Sequence, residues 1–320
     1  MSEHFEHLHV TVNQLQYHLV SCGEGPLVLF THGFPESWYS WRNQLPALAD
    51  AGYRAVAVDM PGYGDTDKPE DAARYNQIAI SDDMAAIASA LGYETFVSVG
   101  HDWGAPTAWH TALRFPDRVR AVVGMSVPYG GRPPQPPTKG FAKLYPDSFF
   151  YMLYFQQPGV AETEIESDVD RFLRCFWWHW SAIGKGGFDT SKIPATSTLF
   201  EAIPDPKQLP DFIDEDEADF YRSAFKRNGL RGPLNYYRNL DRTWELSEPY
   251  KDATLKQPAM FLYGDLDPVP FFGGDLKRMQ NNTPQLETQV VDNCGHWMQQ
   301  EQPEAVNAHL IRFLNQLPQQ

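Results

Sequence analysis

One aspartate, Asp102, stands in a sequence setting that suits it to covalent chemistry. It is the middle residue of Gly100-His101-Asp102-Trp103-Gly104, which follows an apolar run and precedes a helical pattern. The two glycines permit the strained strand-to-helix turn of a nucleophile elbow, which lifts the middle side chain above a sheet edge. A carboxylate there suits displacement at a saturated carbon, because the alkyl ester that forms can be hydrolysed at its carbonyl. We therefore predict that Asp102 is a nucleophile.

His296 and two aspartates supply the remaining parts of a hydrolytic triad. His296 follows Asn293-Cys294-Gly295, a glycine-containing loop before the last helical pattern. A histidine there can take a proton from water, and a carboxylate must then orient its ring. Asp265 and Asp267 both follow an apolar run that ends at Tyr263, and the residues alone leave the choice between them open. Either choice gives the chain order nucleophile, acid, base.

Alternating strand and helix patterns would place these residues at one edge of a sheet. The predicted strands are 27–30, 53–59, 95–99, 121–125, 259–263 and about 288–291. The predicted helices between and after them are 41–51, 78–91, 105–115 and about 303–314. Strands separated by helices through short loops indicate βαβ units, and hence a buried parallel sheet.

The pattern changes between about residue 129 and residue 250. This stretch starts Pro-rich and continues as an aromatic, mostly helical segment that contains Phe176-Trp177-Trp178-His179-Trp180. Because alternation resumes after it, we interpret it as a helical lid inserted into the sheet domain, rather than as a separate domain with an aromatic core. The predicted organisation is a core in two parts, 1–128 and 251–320, with the lid at 129–250.

Composition limits the class of protein and its partners. The 320 residues are 42% hydrophobic and 21% charged, which suits a globular chain with a sizeable core. A formal charge of −15 argues against nucleic acid or an anionic membrane as partner, and no apolar run reaches the roughly 18 residues of a membrane helix. Three cysteines are too few for a disulfide framework, so we expect reduced thiols and a cytoplasmic location.

No cofactor or metal is expected from the sequence. The chain has neither a Gly-x-Gly-x-x-Gly fingerprint nor a P-loop. His4, His7 and His9 alternate near the N-terminus, where a strand face explains them as well as a metal site would, and they lack a fixed scaffold of ligands.

Six segments resemble the soluble α/β-hydrolase-fold epoxide hydrolases, and the resemblance runs from about Val10 to the C-terminus. They are His32-Gly33-Phe34-Pro35, Asp59-Met60-Pro61-Gly62-Tyr63-Gly64, Gly100-His101-Asp102-Trp103-Gly104, Tyr151-Met152-Leu153-Tyr154-Phe155-Gln156, Gly232-Pro233-Leu234-Asn235-Tyr236-Tyr237-Arg238 and Cys294-Gly295-His296-Trp297. The resemblance implies an α/β-hydrolase fold, with a mostly parallel central sheet, flanking helices and an inserted helical lid. It also implies that Asp102, Asp267 and His296 are nucleophile, acid and base.

The same resemblance assigns groups to the oxyanion and to the substrate. Backbone N–H groups of Phe34 and Trp103 would stabilise the oxyanion that forms during ester hydrolysis. The family has a cis peptide at the position of Phe34-Pro35. The side chains expected to contact the substrate are those of Phe34, Trp103, Tyr154, Phe155 and Trp297.

Two tyrosines would assist opening of the epoxide ring. An alkoxide leaves poorly unless it receives a hydrogen bond or a proton, and a Tyr hydroxyl is a protonated donor at neutral pH. The positions that match the family's lid tyrosines are Tyr151 and Tyr237. Their close rivals are Tyr154 and Tyr236 respectively, and the sequence does not separate each pair.

Two other functions fit parts of the pattern. A haloalkane dehalogenase shares the Asp elbow and binds halide through indole N–H groups, which Trp103 and one of Trp177, Trp178 or Trp180 could supply. However, Phe34 stands where many dehalogenases place a halide-binding Asn. A catalytically silent ligand-binding relative would have lost some of the catalytic side chains. We therefore predict an epoxide hydrolase that converts a small apolar epoxide and water to a vicinal diol, as a monomer or homodimer, with detoxification among several open roles.

Overall fold

An eight-stranded sheet runs through the part of the chain that the computed structural model describes, residues 5–185, 187, 190–272 and 276–318. Its strands in chain order, β1 to β8, are Glu6–Val12, Leu15–Cys22, Leu27–Thr31, Arg54–Val58, Phe96–His101, Val119–Met125, Ala259–Gly264 and Leu286–Val291. In space they follow the order β1-β2-β4-β3-β5-β6-β7-β8. The pairs from β4 to β8 are parallel, whereas β1–β2 and β2–β4 are antiparallel. The predicted mostly parallel sheet is confirmed.

The six predicted strands correspond to β3 through β8, and their ends differ by at most two residues. The N-terminal hairpin of β1 and β2 was not predicted. Its turn is made by Asn13 and Gln14, which have φ values of +47° and +71°. β1 is an edge strand with mostly exposed polar side chains, so its sequence lacks the continuous apolar run of a buried strand.

Helices pack on both faces of the sheet and form most of the segment between β6 and β7. The α-helices of the described residues, α1 to α14, are Gln44–Asp50, Gln77–Ala90, Gly104–Arg114, Pro137–Leu144, Tyr151–Tyr154, Val160–Ser167, Val169–Trp180, Leu199–Ala202, Glu215–Asn228, Arg231–Arg238, Leu240–Leu246, Leu276–Asn282, Met298–Glu301 and Pro303–Asn315. Short 3₁₀ helices span Trp38–Trp41, Ala72–Tyr75, Glu248–Tyr250 and Val269–Phe271. The helix predicted over 41–51 is therefore shorter and begins after a 3₁₀ turn.

Two apolar cores cover the two faces of the sheet. In β3, Leu27 and Leu29 pack into one core, whereas Val28 and Phe30 pack into the other, and all four are buried. This alternation follows from the pleat, which points successive side chains to opposite faces. Burial on both faces explains why β3 reads as a continuous apolar run.

The helices between β6 and β7, α4 to α11, are called the helical segment below. Helix α7 buries an aromatic stripe at helical spacing, with Phe172, Phe176 and Trp180 on one face. Phe172 and Phe176 pack against Phe34 of the sheet domain, so the segment rests on the carboxyl edge of the sheet. Among the described residues, no helix is both long and apolar enough to cross a membrane.

Candidate active site

Asp102 lies in the turn between β5 and α3, at the carboxyl edge of the sheet. Its φ is +50°, a left-handed conformation that is strained for a side chain other than glycine. The turn is tight on both sides. A Cβ added to Gly100 would lie 1.9 Å from the carbonyl oxygen of Gly104, and one added to Gly104 would lie 2.0 Å from that of Thr31. Both glycines are therefore required where the sequence places them, and the turn is the predicted elbow.

The loop after β3 lies directly against the Asp102 carboxylate. The backbone N–H of Phe34 donates to Asp102 Oδ1 at 2.7 Å. A Cβ on Gly33 would lie 2.2 Å from that same oxygen, so only glycine lets the loop approach so closely. The peptide between Phe34 and Pro35 is cis, as the resemblance implies.

His296 lies between two carboxylates. Its Nε2 is 3.6 Å from Asp102 Oδ2, and its Nδ1 is 3.3 Å from Asp267 Oδ2. Asp265, the alternative acid, instead accepts a hydrogen bond from the backbone N–H of Cys294 and shapes the loop. The structure thus brings Asp102, His296 and Asp267 together in the geometry of a triad.

The ionisation of His296 follows from these neighbours. Burial alone would lower the pKa of His296, but the carboxylates of Asp267 and Asp102 raise it to about 10. The ring is therefore protonated at neutral pH. Because the Asp102 charge is one cause of the raised pKa, any reaction that neutralises this carboxylate lowers the pKa of His296.

The loop that carries His296 is fastened to the end of α7. The backbone N–H of His296 donates to the carbonyl of Trp180 at 2.8 Å. The Glu301 carboxylate accepts hydrogen bonds from the backbone N–H groups of Ala182, Gly295 and Trp297 at 2.8, 3.1 and 2.9 Å. One carboxylate thus joins the His296 loop to the helical segment.

Tyr151 of α5 and Tyr237 of α10 lie above Asp102. Their ring centroids are 5.9 Å apart, and the Tyr237 ring meets the rings of Phe34 and Trp103 edge to face at 5.3 and 5.0 Å. Burial raises the pKa of both hydroxyls well above the ordinary value, and the negative charge of Asp102 raises both further. Both hydroxyls are therefore protonated at any physiological pH, and both lie within the field of Asp102.

The two rival tyrosines face other partners. Tyr154 donates to Glu164 Oε2 at 2.6 Å, within the helical segment. Tyr236 donates to the carbonyl of Pro61 at 3.1 Å. Neighbouring residues on a helix point about 100° apart, which explains how Tyr236 and Tyr237 come to face different parts of the molecule. The contact of Tyr154 gives no support to its predicted role in binding substrate.

Two cavities lie at the candidate site, one at Asp102 and one at Tyr151. One of about 280 Å³ reaches Asp102 and is lined by Trp103, Met152 and Val269 among others. Another of about 500 Å³ is lined by Tyr151, Trp180 and Pro268 among others.

Two further residues predicted to contact the substrate, Phe155 and Trp297, are buried and pack against other side chains of the site. Phe155 packs against the rings of Tyr151 and Tyr237. Trp297 packs against His296, and its indole N–H donates to the carbonyl of Trp177 at 3.1 Å.

A buried carboxylate–histidine pair beneath the elbow, Glu36 and His101, was not singled out from the sequence. Glu36 Oε2 lies 2.8 Å from His101 Nδ1 and accepts from the backbone N–H of Gly33 at 2.8 Å. His101 Nε2 lies 2.7 Å from the carbonyl of His296. Both ring nitrogens of His101 therefore lie within hydrogen-bond distance of an oxygen. Burial opposes ionisation of Glu36, but His101 lowers the pKa of Glu36 to about 2. The pair connects the Gly33 loop, the elbow and the His296 loop.

Ser126 is a second residue that the sequence did not single out. It follows β6, is completely buried, and has a φ of +70°. Its Oγ lies 2.9 Å from His296 Nδ1, closer than the Asp267 oxygen. Since the Nδ1 proton has two acceptors, Ser126 and Asp267 together fix the plane of the ring. The sequence did offer a signal for Ser126, because this residue directly follows the predicted strand 121–125 and so lies at the same sheet edge as Asp102.

No group of three or more His, Cys, Asp or Glu side chains within the described ranges could hold a metal ion. His4 lies outside these ranges. His7 is hydrogen-bonded to His18, with Nδ1 and Nε2 2.8 Å apart, and His18 is paired with Asp59 at 2.7 Å. These histidines therefore form a chain of hydrogen bonds on the N-terminal hairpin.

Comparison with known proteins agrees with this geometry. A family model described as the alpha/beta hydrolase fold matches residues 26–158. Epoxide hydrolase 3 of Siraitia grosvenorii is 39% identical over 98% of this chain and 99% of its own length. Epoxide hydrolase A of Mycobacterium tuberculosis is 38% identical over 96% of this chain and 97% of its own.

Solved structures show the same relationship. The crystal structure of Epoxide Hydrolase A from Mycobacterium thermoresistibile has a TM-score of 0.92 at 40% identity, and the match covers 99% of this chain and 100% of that one. An epoxide hydrolase from an endophytic Streptomyces has a TM-score of 0.91 at 41% identity, over 98% and 96%. The predicted fold class and family are confirmed. The chain is an enzyme of the hydrolase class and belongs to the epoxide hydrolase family of the α/β-hydrolase fold.

Proposed function

We propose that this enzyme converts an apolar epoxide and water to a vicinal diol through an ester of Asp102. The observation that carries the proposal is the placement of two protonated tyrosine hydroxyls, Tyr151 and Tyr237, in the field of a carboxylate whose other side faces His296. The helical segment acts as a lid, and its apolar aromatic lining favours an apolar epoxide.

In the first step, Asp102 Oδ2 attacks a ring carbon and forms a C–O bond. The ring C–O bond breaks with its electron pair going to the epoxide oxygen, which receives a hydrogen bond and then a proton from Tyr151 or Tyr237. Asp102 becomes a neutral ester, so the pKa of His296 falls as its second carboxylate neighbour is lost. The proton that His296 releases restores the tyrosinate to a hydroxyl, so the step leaves a neutral alcohol, a neutral ester and a neutral imidazole.

In the second step, the now neutral His296 takes a proton from water, and the resulting hydroxide adds to the carbonyl carbon of the Asp102 ester. The negative charge develops on Oδ1, which the N–H of Phe34 already contacts at 2.7 Å. We assign the N–H of Trp103 as the second donor. Collapse of the intermediate breaks the ester bond and releases the diol, with His296 giving its proton to the leaving oxygen. The carboxylic acid of Asp102 then passes its proton to His296, which restores the resting state.

The test follows diol and bromide release in parallel, with a styrene-type epoxide and a matched bromoalkane as substrates. Diol without bromide supports the proposal. Bromide without diol would instead establish a haloalkane dehalogenase, with Trp103 and Trp180 as candidate halide donors. A single turnover in water labelled with heavy oxygen tests the ester. The label should enter the peptide that contains Asp102, and label found only in the diol would exclude the ester.

A further inference from the structure

The backbone on both sides of His296 is held by groups from other parts of the chain. The N–H of His296 donates to the carbonyl of Trp180 at 2.8 Å. In the next peptide, the N–H of Trp297 donates to Glu301 Oε1 at 2.9 Å, and the carbonyl of His296 lies 2.7 Å from His101 Nε2. Because peptide groups are planar, fixing the one before and the one after a residue also fixes the direction of its side chain. These contacts therefore determine where the His296 ring starts.

The other carboxylate oxygen of Glu301 bridges the same loop to the turn after α7. Oε2 accepts from the N–H of Gly295 at 3.1 Å and from that of Ala182 at 2.8 Å. The loop and the turn are in close contact. A Cβ added to Gly295 would lie 2.5 Å from the carbonyl oxygen of Trp180 and 2.6 Å from the nitrogen of Ala182. The loop therefore has no room to shift towards the turn, and Glu301 helps to keep it from shifting away.

The end of α7 provides a fixed reference for the loop. The last carbonyls of a helix have no partner within the helix, and the loop uses two of them. Trp180 accepts from the N–H of His296, and Trp177 accepts from the indole N–H of Trp297 at 3.1 Å. The Trp180 ring is itself buried and stacks on Phe176 at 4.9 Å. The position of the loop is thus defined relative to the helical segment as well as to the sheet.

The hydrogen bonds of the His296 ring fix its tilt, and the backbone fixes its position. Nδ1 lies 2.9 Å from Ser126 Oγ and 3.3 Å from Asp267 Oδ2, so both contacts act at one side of the ring. Nε2, on the other side, lies 3.6 Å from Asp102 Oδ2 and must reach the water that attacks the ester. A base works only within hydrogen-bond reach of the proton that it takes, and a misplacement of about 1 Å can cost about 10²-fold in rate.

We propose that Glu301 is a positioning residue for hydrolysis of the Asp102 ester, and that it acts through the backbone of the loop that carries His296. The inference rests on the proposed function, in which His296 is the base of the second step. Ester formation instead uses Asp102 and the hydroxyls of the two tyrosines above it. Loss of the Glu301 carboxylate should therefore slow the second step and spare the first.

Rapid mixing with a styrene-type epoxide measures the two rates separately through tryptophan fluorescence. Glu301→Gln keeps the shape of the side chain but replaces one acceptor oxygen with an NH₂ group, whereas Glu301→Ala removes both acceptors. We expect ester hydrolysis to slow by about ten-fold in Glu301→Gln and by about 10²-fold in Glu301→Ala, with ester formation within a few-fold of wild type. An unchanged rate of hydrolysis in Glu301→Ala would overturn the inference. An equal loss in both steps would also overturn it, because a general structural defect has that effect.

Glu164 offers a matched control. Its carboxylate also accepts from two backbone N–H groups, those of Leu199 and Phe200, both at 2.9 Å. These hydrogen bonds lie within the helical segment, so Glu164→Ala should leave the rate of ester hydrolysis within a few-fold of wild type. If Glu164→Ala slowed hydrolysis as much as Glu301→Ala does, the effect would belong to packing of the helical segment in general, and the inference would be wrong.

Crystal structures of wild type and Glu301→Ala give a readout that does not depend on turnover. The backbone of residues 295–297 should move by about 1 Å relative to Asp102, and a loop that stays in place would overturn the inference. If the wild-type enzyme hydrolyses a bromoalkane and no epoxide, the proposed function fails. The two rates then still test Glu301, because that reaction also passes through an ester of Asp102. If neither substrate is turned over, the proposed function fails and the movement of the loop alone decides the role of Glu301.

Discussion

The sheet domain and the helical segment hold the side chains of the candidate site in different ways. On the sheet side, Asp102 and His296 are fixed by backbone turns and by individual hydrogen bonds of 2.7 to 2.9 Å. In the helical segment, Tyr151 and Tyr237 are held by edge-to-face contacts with several other aromatic rings. Hydrogen bonds are directional and few, whereas ring packing is spread over many contacts.

This difference predicts how substitutions act on each side. Loss of a single group on the sheet side removes a reacting atom or the bond that aims it. Loss of a tyrosine hydroxyl in the helical segment leaves the ring packing intact, so the protein keeps its shape and loses only a hydrogen-bond donor. The predictions below test this contrast, from the largest expected effect to the smallest.

Asp102→Ala should reduce diol formation by about 10⁴-fold or more, because no other carboxylate can form the ester. The measurement is steady-state diol release from a styrene-type epoxide, with circular dichroism to show that the variant folds. Retention of more than about one hundredth of the wild-type rate would remove Asp102 from the nucleophile assignment.

His296→Gln should allow the first step and block the second, since glutamine cannot take a proton from water. We expect a burst in which about one equivalent of epoxide is consumed per enzyme and held as an ester on the peptide containing Asp102. The steady rate of diol release should be lower by about 10³-fold. Mass spectrometry of the digested protein detects the ester. Steady turnover at the wild-type rate would contradict the role of His296.

Tyr237→Phe should slow ester formation by about 10²-fold and leave ester hydrolysis within a few-fold, because only ring opening uses the hydroxyl. Rapid-mixing measurements of tryptophan fluorescence separate the two rates. Tyr151→Phe should act in the same direction. Tyr236→Phe is the matched control, since its hydroxyl donates to the carbonyl of Pro61. If Tyr236→Phe slowed ester formation as much as Tyr237→Phe does, the effect could not be assigned to the hydroxyl of Tyr237, and the prediction would be wrong.

The protonation of His296 should stabilise the folded enzyme over a defined pH range. The pKa of His296 is raised to about 10, against about 6.5 in an unfolded chain. Its stabilisation is therefore fully present below pH 6.5 and is lost as pH rises towards 10. The free energy of unfolding of wild type, minus that of His296→Gln, should fall by up to a few kcal/mol over this range. Urea unfolding at intervals of pH measures it, and a flat difference would show that the ring is neutral.

Ser126→Ala should have the smallest effect, a decrease of about three- to ten-fold in the rate of ester hydrolysis. Asp267 remains to accept the Nδ1 proton of His296, so only part of the ring's orientation is lost. A structural defect alone would slow both steps, whereas loss of aim should slow hydrolysis and leave ester formation within a few-fold. Ser126→Thr, which keeps a hydroxyl, should recover part of the rate if the buried site admits its methyl group.

The sequence predicted what short stretches of chain determine. β3 to β7 could be predicted because buried parallel strands have apolar runs, and the tight turn at Asp102 could be predicted because its two glycines are sterically required. The hairpin of β1 and β2 was missed because its polar edge strand resembles a loop in composition. These are local signals, readable without knowing which segments meet in space.

The rest depended on contacts between distant segments. Glu36 and His101 are 65 residues apart, and Ser126 and His296 are 170 apart, so neither pair has a local pattern. The choice between Tyr236 and Tyr237 depends on the rotation of one short helix. The predicted boundary of the lid at 129–250 stays a prediction.

The carboxylate of Glu301 has a consequence for how this fold can change. It binds backbone N–H groups from Ala182, which follows α7, and from the loop of His296. The helical segment is a natural unit to exchange when a new specificity is wanted. In this chain a graft that ended before Ala182 would keep its own partner for Glu301. A graft that replaced the end of α7 and the turn after it would also have to supply the carbonyl and the N–H that hold the His296 loop. The crossover point, rather than the aromatic lining, would then decide whether the chimera retains a working histidine.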